Sequence, residues 1–130
     1  MEYDIKDRTA VFGIQVVKLI KKFPKTTIGL IIGRQLLRSG TSIGANCEEA
    51  DAASSRKDFF HKISTCLKEA KETKYWLDIT LKAEIFYKSE EVEFAKQLYQ
   101  ESIELSKIFG SIGRKKDNKN VSSGSEAHIV

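Results

Sequence analysis

A run of small residues lies inside a stretch whose apolar spacing otherwise indicates one long helix, and this run constrains the fold most. Residues 38–53 read RSGTSIGANCEEADAA. Each glycine in a helix interior loses roughly 1 kcal/mol relative to alanine, so local propensity disfavours a helix here. Close approach of a neighbouring helix is the simplest compensation, because small side chains let two backbones pack tightly. The sequence therefore predicts a helix-packing seam formed by Gly40, Gly44 and Cys47.

Length and composition favour a single all-α domain. A chain of 130 residues can bury one hydrophobic core and is short for two. Its single proline, Pro24, permits long uninterrupted helices. The longest nearly apolar run, Ile28 to Gly33, is far below the ~20 residues needed to span a bilayer, and the acidic N-terminus does not resemble a secretory signal. We therefore expect a cytoplasmic protein with no membrane partner.

Apolar periodicity and helix-end signals predict four helices. Pro24 closes the first, and Gly40 is the expected position of a kink in the second. Ser55, with Asp58 three residues later, is typical of a capped start to the third helix, and Ser89 is the predicted cap of the fourth. The predicted helices span about residues 6–23, 27–53 and 56–86, and the fourth begins near residue 89.

The short connections favour an up-down-up-down antiparallel four-helix bundle over residues 1–113. From Arg114 onward the sequence loses its periodicity and gains polar and small residues. We therefore expect residues 114–130 to form a disordered, polar and basic tail.

Each predicted helix has an apolar face with spacings of three and four residues. In the first helix this face is centred on Ala10, Ile14, Val17 and Ile20, flanked by Val11, Phe12, Val16 and Leu19. In the second it comprises Ile28, Ile31, Ile32, Leu36, Ile43, Cys47 and Ala50. In the third it comprises Phe59, Ile63, Cys66, Leu67, Ala70, Leu77 and Leu81. In the fourth it comprises Val92, Ala95, Leu98, Tyr99, Ile103, Leu105 and Ile108.

The third predicted helix also carries large apolar side chains away from this face, at Tyr75, Trp76, Ile79 and Phe86. A helix that is apolar on two sides must bury both. Its C-terminal half is therefore either central within the monomer or covered by another subunit. Because tyrosine and tryptophan are typical interface anchors, we favour subunit contact and expect a homo-oligomer.

Charge is unevenly distributed along the chain. Residues 84–106 hold six acidic residues and two lysines, whereas residues 18–38 hold six basic residues and no acid, namely Lys18, Lys21, Lys22, Lys25, Arg34 and Arg38. Such a basic stretch can bind an RNA phosphate backbone, but lysines on a helix commonly just keep that face solvated. Both interpretations remain open from the residues alone.

Residues suited to catalysis are sparse. His61 is the only histidine before the predicted tail, so the sequence supplies few residues for a histidine-based metal site or a Ser-His-Asp arrangement. The stretch from Gly40 to Gly44 does not end in the Gly-Lys-Ser/Thr sequence of a phosphate-binding loop. Cys47 and Cys66 are offset by about five residues along antiparallel helices, roughly 7.5 Å, and are expected to stay reduced. We expect no enzymatic activity, no metal and no cofactor.

The chain resembles the 23S rRNA intervening-sequence protein family of small bacterial four-helix-bundle proteins. Three strings carry the resemblance, and they are Gly29-Leu30, the segment from Gln35 through Ser39-Gly40-Thr41-Ser42-Ile43-Gly44-Ala45-Asn46-Cys47-Glu48-Glu49-Ala50, and Lys68-Glu69-Ala70-Lys71-Glu72-Thr73-Lys74-Tyr75-Trp76-Leu77. It covers about residues 3–113, and Cys47 stands where an aliphatic residue is expected.

This family is similar to the accessory protein of diversity-generating retroelements. The resemblance implies a homopentamer of four-helix bundles, no established enzymatic activity and a proposed role in binding nucleic acid. Two functions are consistent with the sequence. One is a non-enzymatic oligomer that binds RNA or a ribonucleoprotein through the six basic residues, and the other is a structural or protein-interaction module without RNA binding.

Overall fold

The computed structural model describes residues 4–117, which form four α-helices and, within that range, no strand. The helices are α1 (Ile5–Ile20), α2 (Thr27–Asp51), α3 (Arg56–Lys82) and α4 (Ser89–Arg114), and one 3-10 turn follows at Lys115–Asp117. This confirms the predicted all-α bundle. None of the helices described is long and apolar enough to cross a membrane.

The predicted tail falls mostly outside the described range. The disorder predicted for residues 118–130 lies outside the described residues. Arg114 is the last residue of α4, and Lys115–Asp117 form a 3-10 turn. Ordered helical structure therefore continues past the predicted boundary at residue 113.

Successive helices pack side by side, and α4 closes the bundle against α1. The hydroxyl of Thr73 on α3 donates to Ser39 on α2 at 2.9 Å. The thiol of Cys66 donates to the carbonyl of Ile43 at 3.6 Å. Cys66 precedes Thr73 along α3, whereas Ile43 follows Ser39 along α2. The two helices therefore run antiparallel, as the short connection predicts.

Helix starts follow local side-chain chemistry in three of the four helices. Asp4 and Thr26 cap α1 and α2 through their side-chain oxygens, and Ser55 accepts from the backbone N–H of Asp58 at 3.0 Å, as predicted. The predicted cap at Ser89 is wrong. Ser89 is the first helical residue of α4, and Lys88 before it makes no side-chain cap hydrogen bond.

The predicted core face of α1 is displaced around the helix. Ile14 is 54% exposed and Val17 is 37% exposed, whereas Phe12, Val16 and Leu19, which were expected to flank the face, are buried. Apolar residues cover more than half of this helix, so two stripes satisfy the same spacing. The partner helix decides between them, because Gly40 of α2 packs against Val16.

The predicted small-residue seam is the contact between α2 and α1. A Cβ placed on Gly40 would lie 2.9 Å from both methyl carbons of Val16, and one on Gly44 would lie 3.3 Å from the backbone oxygen of Thr9. The Gly40 distance is shorter than a real Cβ contact, so the packing of Val16 favours glycine there, whereas at Gly44 the backbone of Thr9 would have to move by a few tenths of an ångström to admit a side chain. Cys47 is fully buried beneath this seam. The helix α2 continues through Gly40 without interruption.

The N-terminal half of α2 departs from its predicted core face. Leu36, Ile43, Cys47 and Ala50 are buried as expected, but Ile28 and Ile31 are 63% and 57% exposed. Two further apolar residues on the same outer side, Leu30 and Leu37, are exposed as well. Because α2 is apolar on both sides in this half, its periodicity does not identify the buried one.

The first and third helices end earlier than predicted, at Ile20 and Lys82. The residues beyond these ends include Phe23 and Phe86, whose rings meet edge to face at 5.1 Å between centroids. Both side chains are buried. This contact joins the α1–α2 connection to the α3–α4 connection at one end of the bundle.

Candidate nucleic-acid interface

The basic residues predicted to bind nucleic acid surround the α1–α2 connection. Lys18 is on α1, Lys21, Lys22 and Lys25 lie at or beyond its end, and Arg34 is on the outer side of α2; all are exposed. A Cβ on Gly33 would lie 3.7 Å from the Cγ2 of Ile20, so these two residues face each other across the two helices. Lys21 follows Ile20 and Arg34 follows Gly33, so both cations lie at about the same height along the bundle axis. None of the ion pairs identified among residues 4–117 uses these five cations.

Arg38, the sixth candidate, is held by carboxylates of α3. Its guanidinium bonds Glu69 at 3.2 Å and also bonds Glu72, whose other contact is the indole N–H of Trp76 at 3.2 Å. The hydrogen bond from Arg38 lowers the pKa of Glu72, and the bond from Trp76 adds to that effect. With its charge balanced inside the chain, Arg38 differs from the other five candidates.

Acidic residues border the basic surface on one side. Lys22 and Lys88 line a groove of about 330 Å³ together with Glu90, Glu91 and Phe94 at the start of α4. The carboxylates repel a phosphate approaching from α4. A phosphate can therefore reach the basic surface more easily from the side of α1 and α2 than from the side of α4.

The four predicted interface residues of α3 and its C-terminal connection do not form one exposed face. Tyr75 is 55% exposed, and Trp76 and Ile79 are partly exposed. Tyr75 and Trp76 meet edge to face at 5.0 Å. Phe86 is buried within the single chain against Phe23, so its assignment to a subunit interface is wrong. It packs inward because α3 ends before it and the connection turns it into the bundle.

An exposed apolar surface on the outer side of α1 and α2 was not predicted from the sequence. A groove of about 330 Å³ follows the seam between these helices, and small side chains form much of its lining. Its apolar lining residues are Ala10, Gly13, Ile14, Val17, Gly44 and Ala45. The signal was present in part, because Ala10, Ile14 and Val17 of α1 and Ile28 and Ile31 of α2 follow helical spacing, but these residues were assigned to the core.

A second groove with a basic rim lies between the start of α3 and the end of α4 and was also missed. It has a volume of about 490 Å³ and an apolar floor that includes Phe60, Leu67 and Phe109. Its basic side chains are Lys57, His61, Arg114 and Lys116. The last two belong to the stretch predicted to be tail, which is why the sequence did not indicate a groove.

The thiols are placed as structural residues. Cys47 and Cys66 are free and buried, as expected. Burial raises the pKa of Cys47 to about 11 and that of Cys66 to about 12, which keeps both thiols protonated and weakly nucleophilic at neutral pH. His61 is exposed in the α3–α4 groove. No group of three or more His, Cys, Asp or Glu side chains in residues 4–117 is arranged to hold a metal ion.

Comparison with known proteins confirms the resemblance drawn from the sequence. A family model described as 23S rRNA-intervening sequence protein matches residues 1–111. One similar solved structure is the 1.70 Å crystal structure of a protein with unknown function from the S23 ribosomal protein family of Bacteroides thetaiotaomicron VPI-5482. It is 38% identical, covers 83% of this chain and 96% of its own, and gives a TM-score of 0.74. No curated protein matches the chain. The link to retroelement accessory proteins stays a prediction.

Proposed function

The chain belongs to the 23S rRNA-intervening sequence protein family, and on that premise we propose that it is a non-enzymatic, self-associating helical bundle that binds RNA through the basic surface around the α1–α2 connection. The members of this basic surface are Lys18, Lys21, Lys22, Lys25 and Arg34. The two buried, free thiols support a reducing compartment such as the cytoplasm.

The observation that carries the proposal is the exposure of these five cations without ion-pair partners in the described chain. A cation that is already paired must lose its partner before it binds phosphate, whereas an unpaired one only releases solvent and counterions. Each phosphate contact made in this way releases counterions, which gives affinity that depends on salt. Arg38 contributes less because Glu69 and Glu72 hold it.

RNA binding is tested with the triple variant Lys21→Glu/Lys22→Glu/Lys25→Glu and a fluorescein-labelled RNA stem-loop. Anisotropy titrations at several salt concentrations should show weaker binding and a slope of log K against log salt reduced by roughly 2, since about 0.7 counterions are lost per contact. The matched control is Lys68→Glu/Lys71→Glu/Lys74→Glu, which changes the net charge equally on the outer side of α3. Equal losses in both variants, or no binding by the native protein at low salt, would contradict the proposal.

Self-association is supported by the exposed apolar residues on α1, α2 and α3. Isolated exposed apolar residues are ordinary, but here Ile14 and Val17 line one groove together with Gly44 and Ala45 of α2, and Leu30 and Ile31 are exposed further along α2. Contiguous apolar surface of this kind marks an interaction site. The family resemblance implies that the partner is a second copy and that the assembly is a pentamer.

The contribution of α3 to self-association is tested with Tyr75→Glu and Trp76→Glu. Burying an unpaired charge in an interface costs several kcal/mol, so each variant should give smaller species by light scattering. An unchanged molar mass would show that these side chains make contacts only within the single chain, where the indole N–H of Trp76 donates to Glu72.

A structural or protein-interaction module without RNA binding is the second candidate. The observation that favours it is the acidic start of α4 beside the basic surface, because Glu90 and Glu91 of one protein can complement Lys21 and Lys25 of another. The ratio of absorbance at 260 nm to that at 280 nm in freshly purified protein, read with light scattering, separates the two candidates. Co-purified nucleic acid supports the first, and a co-purified protein without nucleic acid supports the second.

A further inference from the structure

The α3–α4 connection presents an aromatic side chain directly to solvent. Tyr87 is 94% exposed, the largest exposure among the large apolar and aromatic residues described. Its neighbour Phe86 is buried and packs on Phe23 at 5.1 Å. Consecutive residues of this connection therefore point in different directions, one into the bundle and one outward.

The backbone before Tyr87 is fixed by hydrogen bonds. The N–H of Glu84 donates to Leu81 at 3.2 Å, and the N–H of Ile85 donates to Thr80 at 3.1 Å. Glu84 itself has a φ of 55°, in the left-handed region that reverses the chain after a helix. With Phe86 anchored just after this reversal, Tyr87 is presented from an ordered turn.

The Phe23–Phe86 contact places this tyrosine beside the basic surface. Lys22 directly precedes Phe23, and Lys25 follows it two residues later. On the other connection, Lys88 directly follows Tyr87 and shares a groove with Lys22. An exposed ring and several cations thus occupy the same end of the bundle.

We propose that Tyr87 is a stacking platform for an unpaired RNA base whose flanking phosphates bind the lysines of the α1–α2 connection. This inference rests on the proposed function and narrows it to RNA with unpaired nucleotides. Bases that are not in a helix stack on aromatic side chains, whereas paired bases in an A-form duplex keep their faces covered. A tyrosine ring is suited to this because its hydroxyl stays hydrated while its face contacts the base.

The acidic start of α4 sets the direction of the strand. Glu90 and Glu91 line the groove beside Lys22 and Lys88, so phosphates are repelled on that side of the ring. The strand therefore runs from Tyr87 toward Lys25 and α1. Accordingly, Glu90→Gln/Glu91→Gln should tighten binding of single-stranded RNA, and weaker binding would contradict this direction.

The test compares Tyr87→Ala, Tyr87→Leu and Tyr87→Phe, using a labelled oligoadenylate of about 12 nucleotides and a blunt RNA duplex of equal length. We expect Tyr87→Ala and Tyr87→Leu to weaken oligoadenylate binding by about 10-fold or more, and Tyr87→Phe to retain it, since only the ring is needed. Duplex binding should be the same in all four proteins. Because Tyr87 is almost fully exposed, thermal melting should be unchanged and serves as the folding control.

The outcomes separate this inference from the proposed function. If the Lys21, Lys22 and Lys25 triple variant weakens oligoadenylate binding but Tyr87→Ala does not, the stacking role is overturned while RNA binding stands. If the native protein binds neither RNA, both proposals fail. If Tyr87→Ala leaves RNA binding intact but lowers the molar mass, the ring serves contact between subunits, which also overturns the stacking role.

Discussion

Both sides of α2 carry large apolar residues, but these residues differ greatly in burial. On the inner side, Leu36 and Ile43 are fully buried. On the outer side, Leu30, Ile31 and Leu37 are 54%, 57% and 37% exposed. Burial of such side chains is worth about 1.5–3 kcal/mol each, so an outer side that stays in water forgoes a large stabilisation.

The difference shows that close approach, more than apolar content, selects the core side of this helix. The inner side carries Gly40, whose missing side chain admits Val16 of α1. On the outer side, Leu30 and Ile31 remain exposed in the single chain. Under the proposed self-association, these apolar side chains contact a second copy.

The largest expected contrast is between Ile43→Ala and Ile31→Ala, the same substitution on opposite sides of α2. Loss of the buried Ile43 side chain should lower the free energy of unfolding by about 2–5 kcal/mol. At Ile31 the change should stay within about 0.5 kcal/mol at low protein concentration. Urea denaturation at matched low concentrations measures both. A comparable loss at Ile31 would mean that the outer side is packed within the monomer.

A smaller contrast is expected between Gly40→Ala and Gly13→Ala, which lie on facing helices. At Gly40 the new Cβ meets the branched Val16 at 2.9 Å. Overpacking of about 1–3 kcal/mol should outweigh the roughly 1 kcal/mol gained in helix propensity. At Gly13 the nearest atoms lie 3.9–4.0 Å away, so alanine should stabilise by up to about 1 kcal/mol. The melting temperature should fall in Gly40→Ala and rise in Gly13→Ala. A rise in both variants would show that α1 and α2 are not tightly packed at Gly40.

The smallest expected effect concerns Arg38, which links the outer side of α2 to α3. Arg38 lowers the pKa of Glu72 from its ordinary value of 4.5. This stabilisation is fully present above pH 4.5 and is lost as pH falls through the lowered folded-state value. Glu72→Gln should therefore cost about 1 kcal/mol or less at pH 7, given the partial exposure of the pair, and nothing once Glu72 is protonated. A difference from the native protein that does not shrink in acid would contradict this role.

Local patterns predicted the parts of the fold that depend on neighbouring residues. The third helix begins at Arg56 behind its Ser55 cap, as predicted, because the capping bond to Asp58 spans only three residues. Most of the predicted stripe of α3 is also buried, from Phe59 to Leu77, whereas Leu67 and Leu81 are only partly buried. The match arises because the opposite side of this helix is largely charged along most of its length.

Features set by distant residues were not predictable in this way. The choice of core side in α1 depends on Gly40, on another helix, and the pairing of Arg38 with Glu69 joins residues 31 positions apart. Phe86 was assigned to a subunit interface because its inward packing depends on where α3 ends and on Phe23. Tyr87 was not identified because exposure of a single ring in a connection leaves no periodic signal.

The molar mass of the native protein and of Leu30→Glu/Ile31→Glu, determined by sedimentation equilibrium, tests most directly whether the outer side of α2 binds a second copy. The native protein should sediment as a multiple of its 14.7 kDa chain, with five chains implied by the family resemblance. The double variant should sediment at 14.7 kDa with unchanged helical circular dichroism. A native protein that sediments as a single chain, or a folded variant that keeps the native mass, would contradict the account.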